Sequence, residues 1–324
     1  MTVPVGERRV NGLQLLSVAA VVVTFALIVL GGIVRVTNSG LGCPDWPTCH
    51  GRLVPPLEFH VLVEYSHRLL ASVVSALILL LAAVAWLRHR RDGALLAAAT
   101  AAVVLLLVQV VLGGITVLGE LPAAVVATHL VTSLALLATL TTAAMLAFTE
   151  RGGGGDDERS AHADARGLGS LRGPLTATAA VALLTMWLGA YMTISGAGLA
   201  CEGWPLCNGG ALPDASYLVR LQWVHRVAAA GLGLLVLNLI FLAGRRLGAH
   251  HPASRLAVLA GVLYLAQALL GALNIWTALT PAAAAAHLTV ASLFWLTIVA
   301  LTVVAYLARR PGRVGLVARP EVVG

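Results

Sequence analysis

The stretch EYSHR, residues Glu64 to Arg68, stands near the start of a long apolar run, and a near-copy, QWVHR, occupies Gln222 to Arg226. The histidines of the two copies are 158 residues apart. The same separation relates Cys43 to Cys201, Trp46 to Trp204, Cys49 to Cys207, Gln109 to Gln267, Gly113 to Gly271 and His129 to His287. A shift this constant predicts a tandem duplication in which each half carries two histidines in apolar surroundings.

The composition of the chain excludes an ordinary soluble domain. Of its 324 residues, 59% are hydrophobic and only 11% are charged, and several apolar runs are long enough to cross a bilayer. The formal net charge of +7 comes from arginines in short loops between those runs, where such residues set membrane orientation. Anionic membrane lipid is therefore the expected acidic partner, and nucleic acid is not.

Eight apolar segments can be read along the chain. Each is long enough for a helix, at about 1.5 Å per residue, to cross a hydrocarbon core of about 30 Å. The segments are 13–34, 62–87, 94–118, 123–147, 174–195, 219–243, 255–278 and 283–307. The predicted fold class is an all-α membrane protein whose eight transmembrane helices form two tandem four-helix bundles. Because each half has an even number of helices, we expect a pseudo-two-fold axis along the membrane normal.

The division of the chain follows the repeat and the charge pattern. Arginines cluster before segment one, between segments two and three, between six and seven, and after eight, which predicts a multi-pass cell-membrane protein with both termini in the cytoplasm. The loops that carry the cysteines then lie on the outer face. The glycine-rich linker should be flexible and solvated. The predicted units are the N-terminal half 10–149, the cytoplasmic linker 150–172, the C-terminal half 173–310 and the cytoplasmic tail 311–324.

Two loops, CPDWPTC and CEGWPLC, carry all four cysteines. On an oxidising outer face, the expected state is one disulfide in each loop, Cys43–Cys49 and Cys201–Cys207. Covalent c-type haem attachment requires C-x-x-C-H, which neither loop contains, and the spacings do not match common zinc frameworks. Whether the disulfides shape a lid or only staple a loop stays open here.

The four intramembrane histidines lie near the start of even-numbered segments, and therefore at similar depth on the outer side. Ionisable groups at that depth are costly unless they are buried between helices and partnered. Two histidines on facing helices can ligate one haem iron axially inside a four-helix bundle. We infer two haem sites, His67 with His129 and His225 with His287. Small residues near them leave room for a macrocycle or serve close helix packing: Gly113, Gly114, Gly271 and Ala272.

The residues beside the first histidine of each half suggest different roles for the halves. Arg68 and Arg226 could pair with haem propionates, or extend to the membrane interface. Glu64 lies one helical turn before His67, whereas Gln222 takes that place beside His225. A carboxylate can exchange protons and an amide cannot. The difference predicts chemistry in the N-terminal half and a haem electron carrier in the C-terminal half, unless Glu64 only anchors its helix.

Taken together, these motifs resemble the haem A synthase family, particularly bacterial members with two cysteine pairs. The resemblance covers about Val10 to Arg310. It implies an oxidoreductase acting on a CH group, which converts a porphyrin methyl of haem O to the formyl of haem A for terminal oxidases. It also implies a haem b cofactor at His225 and His287, substrate haem O near His67 and His129, a requirement for Glu64, and a functional disulfide in the first loop.

The mechanism expected from this resemblance is stepwise oxidation of the methyl group, in which Glu64 accepts a proton and a geminal diol loses water. Expected partners are the haem O-producing farnesyltransferase, the cytochrome oxidase under assembly and further copies of this chain. The alternatives are a bis-histidine dihaem electron carrier, a haem-handling assembly protein and a transporter. A transporter leaves the histidines and cysteine loops unexplained, and the single-sided histidines argue against a carrier that stacks haems across the bilayer.

Overall fold

The computed structural model describes residues 11–149, 158–210 and 216–308. Within these ranges the chain forms eight α-helices, each long and apolar enough to cross a membrane, and no β-strand. The helices are α1 (Gly12–Val36), α2 (Phe59–Arg88), α3 (Gly93–Leu118), α4 (Ala123–Phe148), α5 (Glu158–Ile194), α6 (Tyr217–Leu247), α7 (Pro252–Trp276) and α8 (Pro281–Leu307). The predicted all-α fold with eight membrane-spanning helices is confirmed.

Local sequence explains where several helices begin. Asn11 and Gln14 form a reciprocal capping box at α1, in which each side chain accepts from the other's backbone N–H at 2.9 Å. Asp92 caps α3 by accepting from the Leu95 N–H. Prolines stand at the first position of α7 and α8, where the missing N–H costs nothing.

The helices bury small or medium side chains and turn large apolar ones outward. Leu107, Leu234 and Leu265 are among many leucines that are more than half exposed. Such faces would be unfavourable in water and are typical of helices surrounded by lipid. The inward stripe of α1 has helical spacing and consists of Leu13, Ser17, Ala20, Thr24, Ile28 and Gly32.

Helix neighbours repeat between the halves. In the N-terminal half, α1 packs on α2 and α4, and α3 packs on α2 and α4. In the C-terminal half, α5 packs on α6 and α8, and α7 packs on α6 and α8. The halves meet through α4 with α5, α1 with α8, and α4 with α8. When α1–α4 are matched to α5–α8, the contact of α4 with α5 corresponds to that of α8 with α1, and the contact of α4 with α8 corresponds to itself. A duplicated chain predicts this pattern, and the two-fold axis itself stays a prediction.

The boundary between the linker and the C-terminal half differs from the prediction. The flexible segment was expected over 150–172, but α5 already begins at Glu158, and only 150–157 lies outside the described residues. Helical packing overrides the polar sequence: Leu168, Leu171 and Leu175 recur at helical spacing and are buried in the core that α4 to α8 form. The Arg172 guanidinium also donates to the Ala305 and Ala308 carbonyls, each at 2.9 Å.

The remaining boundaries of the predicted units are untested. The tail 311–324 lies outside the described residues, as do the arginines before α1 and after α8. The division into halves at 10–149 and 173–310 therefore stays a prediction. It is supported by the two main buried clusters, one formed by α1 to α4 and the other mainly by α5 to α8 with α4.

The two halves are joined by buried contacts on α8. Trp295, 3% exposed, donates its indole N–H to the Leu134 carbonyl of α4 at 2.9 Å. Leu288 packs directly on Gly32 of α1, where any side chain would collide with it. These contacts place α8 at the centre of the molecule, so the two histidine-bearing regions belong to one packed body.

Candidate functional site

The four predicted histidines lie at matching depths in their helices. His67 and His225 are eight residues from the starts of α2 and α6, and His129 and His287 are six residues from the starts of α4 and α8. At about 1.5 Å per residue, all four are about 9–12 Å from the helix ends that the cysteine loops adjoin. The four histidines thus share a similar position along their helices, and their placement on the outer side of a membrane stays a prediction.

In the N-terminal half, each histidine ring faces a glycine of the preceding helix. A Cβ built on Gly31 of α1 would lie 3.1 Å from Nε2 of His67. A Cβ built on Gly113 of α3 would lie 3.5 Å from Cε1 of His129. The rings therefore occupy space between helices that the absent side chains leave open.

The C-terminal half repeats this arrangement at positions 158 residues later. A Cβ on Gly189 of α5 would approach Cε1 of His225 to 2.8 Å, and one on Gly271 of α7 would approach Cε1 of His287 to 3.4 Å. The sequence pattern indicates Gly113 and Gly271 as neighbours of the histidines but does not single out Gly31 and Gly189. The constant shift was the signal that could have found the second pair.

The structure brings the histidines together in the predicted pairs. His67 interacts electrostatically with His129, and His287 with His225. All four side chains are half-buried, as expected for groups that line an open space rather than fill a packed core. The described residues contain no cluster of three or more His, Cys, Asp or Glu side chains able to chelate an ion. A pair of imidazoles suits an iron whose remaining ligands come from a macrocycle.

The ring nitrogens provide a test of whether haem fits. Nδ1 of His129 is buried and has no hydrogen-bond partner among the described residues. The buried ring of His287 interacts with the backbone of Gln267 on α7. Nδ1 of His225 lies 3.2 Å from the Thr185 carbonyl, a contact that orients this ring and leaves its Nε2 for iron. Paired imidazoles, an unpartnered ring nitrogen and glycine-made space together fit axial ligation of haem.

Glu64 is fixed against the first cysteine loop. Its side chain is buried, with 4% of the residue exposed. Oε2 accepts from the Cys43 N–H at 2.8 Å, and Oε1 accepts from Arg68 at 2.5 Å. Among the described residues, Glu64 is the only buried carboxylate. It therefore combines an anchoring role with an unusual charge inside the protein.

Gln222 holds the second loop in the same way. This residue is 2% exposed, and its Oε1 accepts from the Cys201 N–H at 2.5 Å. Its Nε2 donates to the Gly198 carbonyl at 2.9 Å. The comparison shows that anchoring a loop needs only an amide. The carboxylate of Glu64 is therefore not explained by anchoring, and its catalytic role stays a prediction.

Arg68 points its guanidinium at the loop. It donates to the backbone carbonyls of Asp45 at 2.7 Å, Cys43 at 2.9 Å and Thr48 at 2.5 Å, in addition to Glu64. These contacts tie α2 to the whole CPDWPTC loop. A haem propionate that paired with Arg68, as predicted, would have to compete with these carbonyls for the guanidinium N–H donors.

Arg226 repeats the arrangement of Arg68. It donates to the carbonyls of Gly203 at 2.7 Å and Leu206 at 3.0 Å, with longer contacts to Pro205 and Cys201. Neither arginine simply extends to the membrane interface. Their propionate contacts stay predictions, and holding the loops is the role that the structure displays.

Both loops are closed by disulfides, Cys43–Cys49 and Cys201–Cys207, and all four cysteines are buried. The predicted pairing within each loop is confirmed, which rules out a zinc site bridging the loops. A backbone bridge between Cys49 and Arg52, matched by one between Cys207 and Gly210, ends each loop.

Asp45 stabilises the first loop from its exposed rim. Its carboxylate accepts from the Thr48 hydroxyl and the His50 N–H, each at 2.5 Å, and from the Gly51 N–H at 2.8 Å. These hydrogen bonds lower the pKa of Asp45 to about 2. The second loop has Gly203 at this place and uses Asn208, whose side-chain oxygen accepts from the Glu202 N–H at 2.9 Å.

The first loop also covers the end of the N-terminal site. The Trp46 ring packs on Gly114 of α3, where a Cβ would lie 3.4 Å from the indole. Gly114 directly follows Gly113, the glycine that faces His129. The first disulfide loop therefore contacts the helix that lines the site. In the second loop, Trp204 instead meets the Trp276 ring edge-on at 6.2 Å.

The sequence of this chain is similar to those of known proteins. The family model COX15-CtaA, described as "Cytochrome oxidase assembly protein", matches residues 14–299. A protein of Symbiobacterium thermophilum named "Heme A synthase" is 32% identical over 269 residues, covering 81% of this chain and 85% of that protein. Another of that name, from Bacillus pumilus, is 30% identical over 282 residues, covering 85% and 89%.

A third relative extends this set to another genus. The "Heme A synthase" of Exiguobacterium sibiricum is 31% identical over 255 residues, which cover 77% of this chain and 81% of that protein. The match to the family model includes both cysteine loops and all four histidines. The resemblance deduced from the motifs is confirmed: this chain belongs to the COX15-CtaA family of cytochrome oxidase assembly proteins.

Proposed function

We propose that this chain is a haem A synthase, an oxidoreductase that converts a methyl group of haem O to the formyl group of haem A. The observation that carries the proposal is the asymmetry between two otherwise matching sites. Each half offers two histidines facing glycines, but among the residues that the structure describes only the N-terminal half adds a buried carboxylate, Glu64. The names of the relatives give independent support.

The N-terminal half is proposed to hold the substrate. His67 and His129 would ligate the iron of haem O, and the open space beside Gly31 and Gly113 would admit the porphyrin. Conversion of a methyl to a formyl group with oxygen from water would release four protons and four electrons, so the reaction needs an external electron acceptor and a proton acceptor close to the methyl carbon. Glu64, one helical turn from His67, is the side chain positioned for that task.

The C-terminal half is proposed to bind haem b through His225 and His287. When bound there, haem b supplies one-electron transfer. Gln222 cannot take up a proton and keeps its loop in place, as a site without substrate chemistry requires. The contact of His225 with the Thr185 carbonyl orients the ring before the cofactor arrives.

The cysteine loops are proposed to face the outer side, with both termini in the cytoplasm. The arginine pattern supports this orientation. Each loop would limit access of water to the site below it, because Arg68 and Arg226 hold it against the bundle. The farnesyltransferase that makes haem O and the oxidase that receives haem A remain expected partners, and a homo-oligomer remains an expectation.

The function can be tested by the haems that the protein carries. The chain would be produced in membranes that contain haem O, purified in detergent and extracted, and its haems identified by mass. Haem B together with haem A, or with a hydroxylated haem O, is the expected result. Haem B accompanied by unaltered haem O alone would instead favour an electron carrier or a haem-handling protein.

A further inference from the structure

Arg35 is a cation placed on the inward stripe of α1. It lies seven residues after Ile28 and three after Gly32, both of which are buried, and this spacing keeps it on the same helical face. Unlike the rest of that stripe, Arg35 is exposed. A residue on an inward face that is still accessible borders an open space rather than a packed contact.

That open space adjoins the first histidine. Gly31, one turn before Arg35, faces Nε2 of His67 at 3.1 Å from its built Cβ. Four residues of helix separate Gly31 from Arg35, or about 6 Å along the axis. Arg35 therefore stands on the loop side of the N-terminal histidine pair, about one helical turn above the ring of His67.

The guanidinium of Arg35 has no hydrogen-bond or ion-pair partner within 11–149, 158–210 and 216–308. Arg68, at the same end of this half, is occupied by three loop carbonyls and Glu64. Arg35 stands in the last turn of α1, where a positive charge suits the carboxyl end of the helix, and its guanidinium is free to meet an anion. Arg35 is thus the available positive charge of the N-terminal site.

The C-terminal half has no counterpart to this charge. Thr193 stands 158 residues after Arg35, and its hydroxyl is satisfied within its own helix by donating to the Gly189 carbonyl at 2.6 Å. Its methyl group packs near Gly198. The position is therefore closed and neutral in the half proposed for the cofactor, and open and cationic in the half proposed for the substrate.

We propose that Arg35 binds a propionate carboxylate of haem O and thereby positions the substrate. This inference rests on the proposed function. The planar guanidinium matches a carboxylate through paired N–H donors. Axial histidines alone leave the porphyrin free to turn about the iron–nitrogen axis. A fixed carboxylate at the loop side removes that freedom and decides which methyl group meets Glu64.

The test compares Arg35→Gln and Arg35→Lys with the parent protein, and uses two probes, haem O and haem O with both propionates esterified. Binding is followed by the absorbance change on titration into purified protein in vesicles of neutral lipid. Arg220→Gln is the control, because it removes a positive charge from an exposed position at the start of α6 in the other half.

We expect Arg35→Gln to weaken haem O binding about tenfold or more, with haem B content of the C-terminal half unchanged. Esterification should weaken binding to the parent protein by a similar factor and should have little further effect on Arg35→Gln. Arg35→Lys should recover part of the affinity, and its products should include oxidation at the wrong methyl position. Arg220→Gln should behave as the parent does.

Equal affinity of the parent and Arg35→Gln for haem O, or an equal loss on esterification in both, would overturn the role of Arg35. The latter result would assign the guanidinium to lipid phosphate or another group instead. If the parent protein itself neither binds nor converts haem O, the proposed function fails, and that outcome is distinct from failure of the Arg35 inference alone.

Discussion

At the scale of single residues, comparing Glu64 with Gln222 separates the anchoring of the cysteine loop from the presence of a buried charge. Both accept a hydrogen bond from the backbone N–H of the first cysteine of their loop. Only Glu64 also carries a charge, and it forms an ion pair with Arg68. The natural glutamine in the second half shows that the loop can be held without that charge.

Glu64→Gln should therefore fold normally and fail in chemistry. The new amide can accept from the Cys43 N–H as Gln222 does from Cys201, and Arg68 keeps its three loop carbonyls, as Arg226 does. We expect conversion of haem O to fall at least about 100-fold, the size of a general acid–base contribution. The haem content should stay the same. Conversion at the parental rate would remove Glu64 from the mechanism.

Asp45 gives the first loop a pH dependence that the second loop lacks. An unperturbed Asp titrates near about 3.9, whereas hydrogen bonds lower the pKa of Asp45 in the folded loop to about 2. Because the folded value is the lower one, the stabilising effect is complete above about pH 4 and is lost as the pH falls towards 2.

Amide hydrogen exchange, corrected for its intrinsic pH dependence, measures this effect. We expect protection of the His50 and Gly51 amides to disappear between about pH 4 and pH 2. The Glu202 amide, held by the neutral side chain of Asn208, is the internal control and should not follow that curve. The same titration at all three amides would contradict the assignment to Asp45.

At the scale of elements, each site depends on a glycine on one helix and a histidine on the next. Gly189 is the tightest case, because its Cβ would approach His225 to 2.8 Å. The ring cannot simply retreat without losing the contact of its Nδ1 with Thr185, which lies one turn away on the same helix, α5.

Gly189→Ala should consequently displace His225 and weaken haem b binding by about 1 kcal/mol or more, about fivefold in Kd. At haem concentrations near the parental Kd, the haem B bound per protein should then fall by more than about half. Gly231→Ala on α6 is the matched control, because a Cβ there meets nothing within 4 Å. Full haem content in Gly189→Ala would show that the cofactor does not depend on His225 being held in this place.

Hydrophobic runs and their periodicity were sufficient to predict all eight helices, because each apolar segment has to span the bilayer alone. They were not sufficient for the start of α5, where Leu168 and Leu171 are buried by tertiary packing within a polar sequence. The histidine pairs and disulfides were predicted from spacing. The contacts of Arg68 and Asp45 were not, since they depend on how each loop folds back over its helix.

At the scale of the whole molecule, the halves are held together by α8 as much as by the chain that connects them. Trp295 on α8 donates to Leu134 on α4 in a fully buried setting. An indole at this position fills space and satisfies a hydrogen bond at once, so its loss should be felt by both halves.

Trp295→Phe should destabilise the folded protein by about 1–3 kcal/mol, because a buried hydrogen bond is lost and the ring becomes smaller. Circular dichroism during denaturation with sodium dodecyl sulfate in detergent micelles measures the change. Trp86→Phe is the control: its indole donates to Thr100 at 3.1 Å on an exposed surface within one half. An equal loss of stability in the two variants would show that the interface between the halves contributes no more to stability than a contact within one half.

In the proposed function, the carboxylate of Glu64 both exchanges protons and holds the first cysteine loop. Its two oxygens serve as acceptors that keep this loop closed, through the Cys43 N–H and Arg68. In the proposed function a proton from the substrate would bind one of these oxygens, so protonation and the ion pair with Arg68 would compete for the same carboxylate. By thermodynamic reciprocity, protonation of Glu64 weakens this contact, and the contact in turn disfavours protonation. Each proton taken up would thus weaken the contact with Arg68, whereas the contact with the Cys43 N–H needs only an uncharged acceptor, as Gln222 shows, and would keep the loop in place.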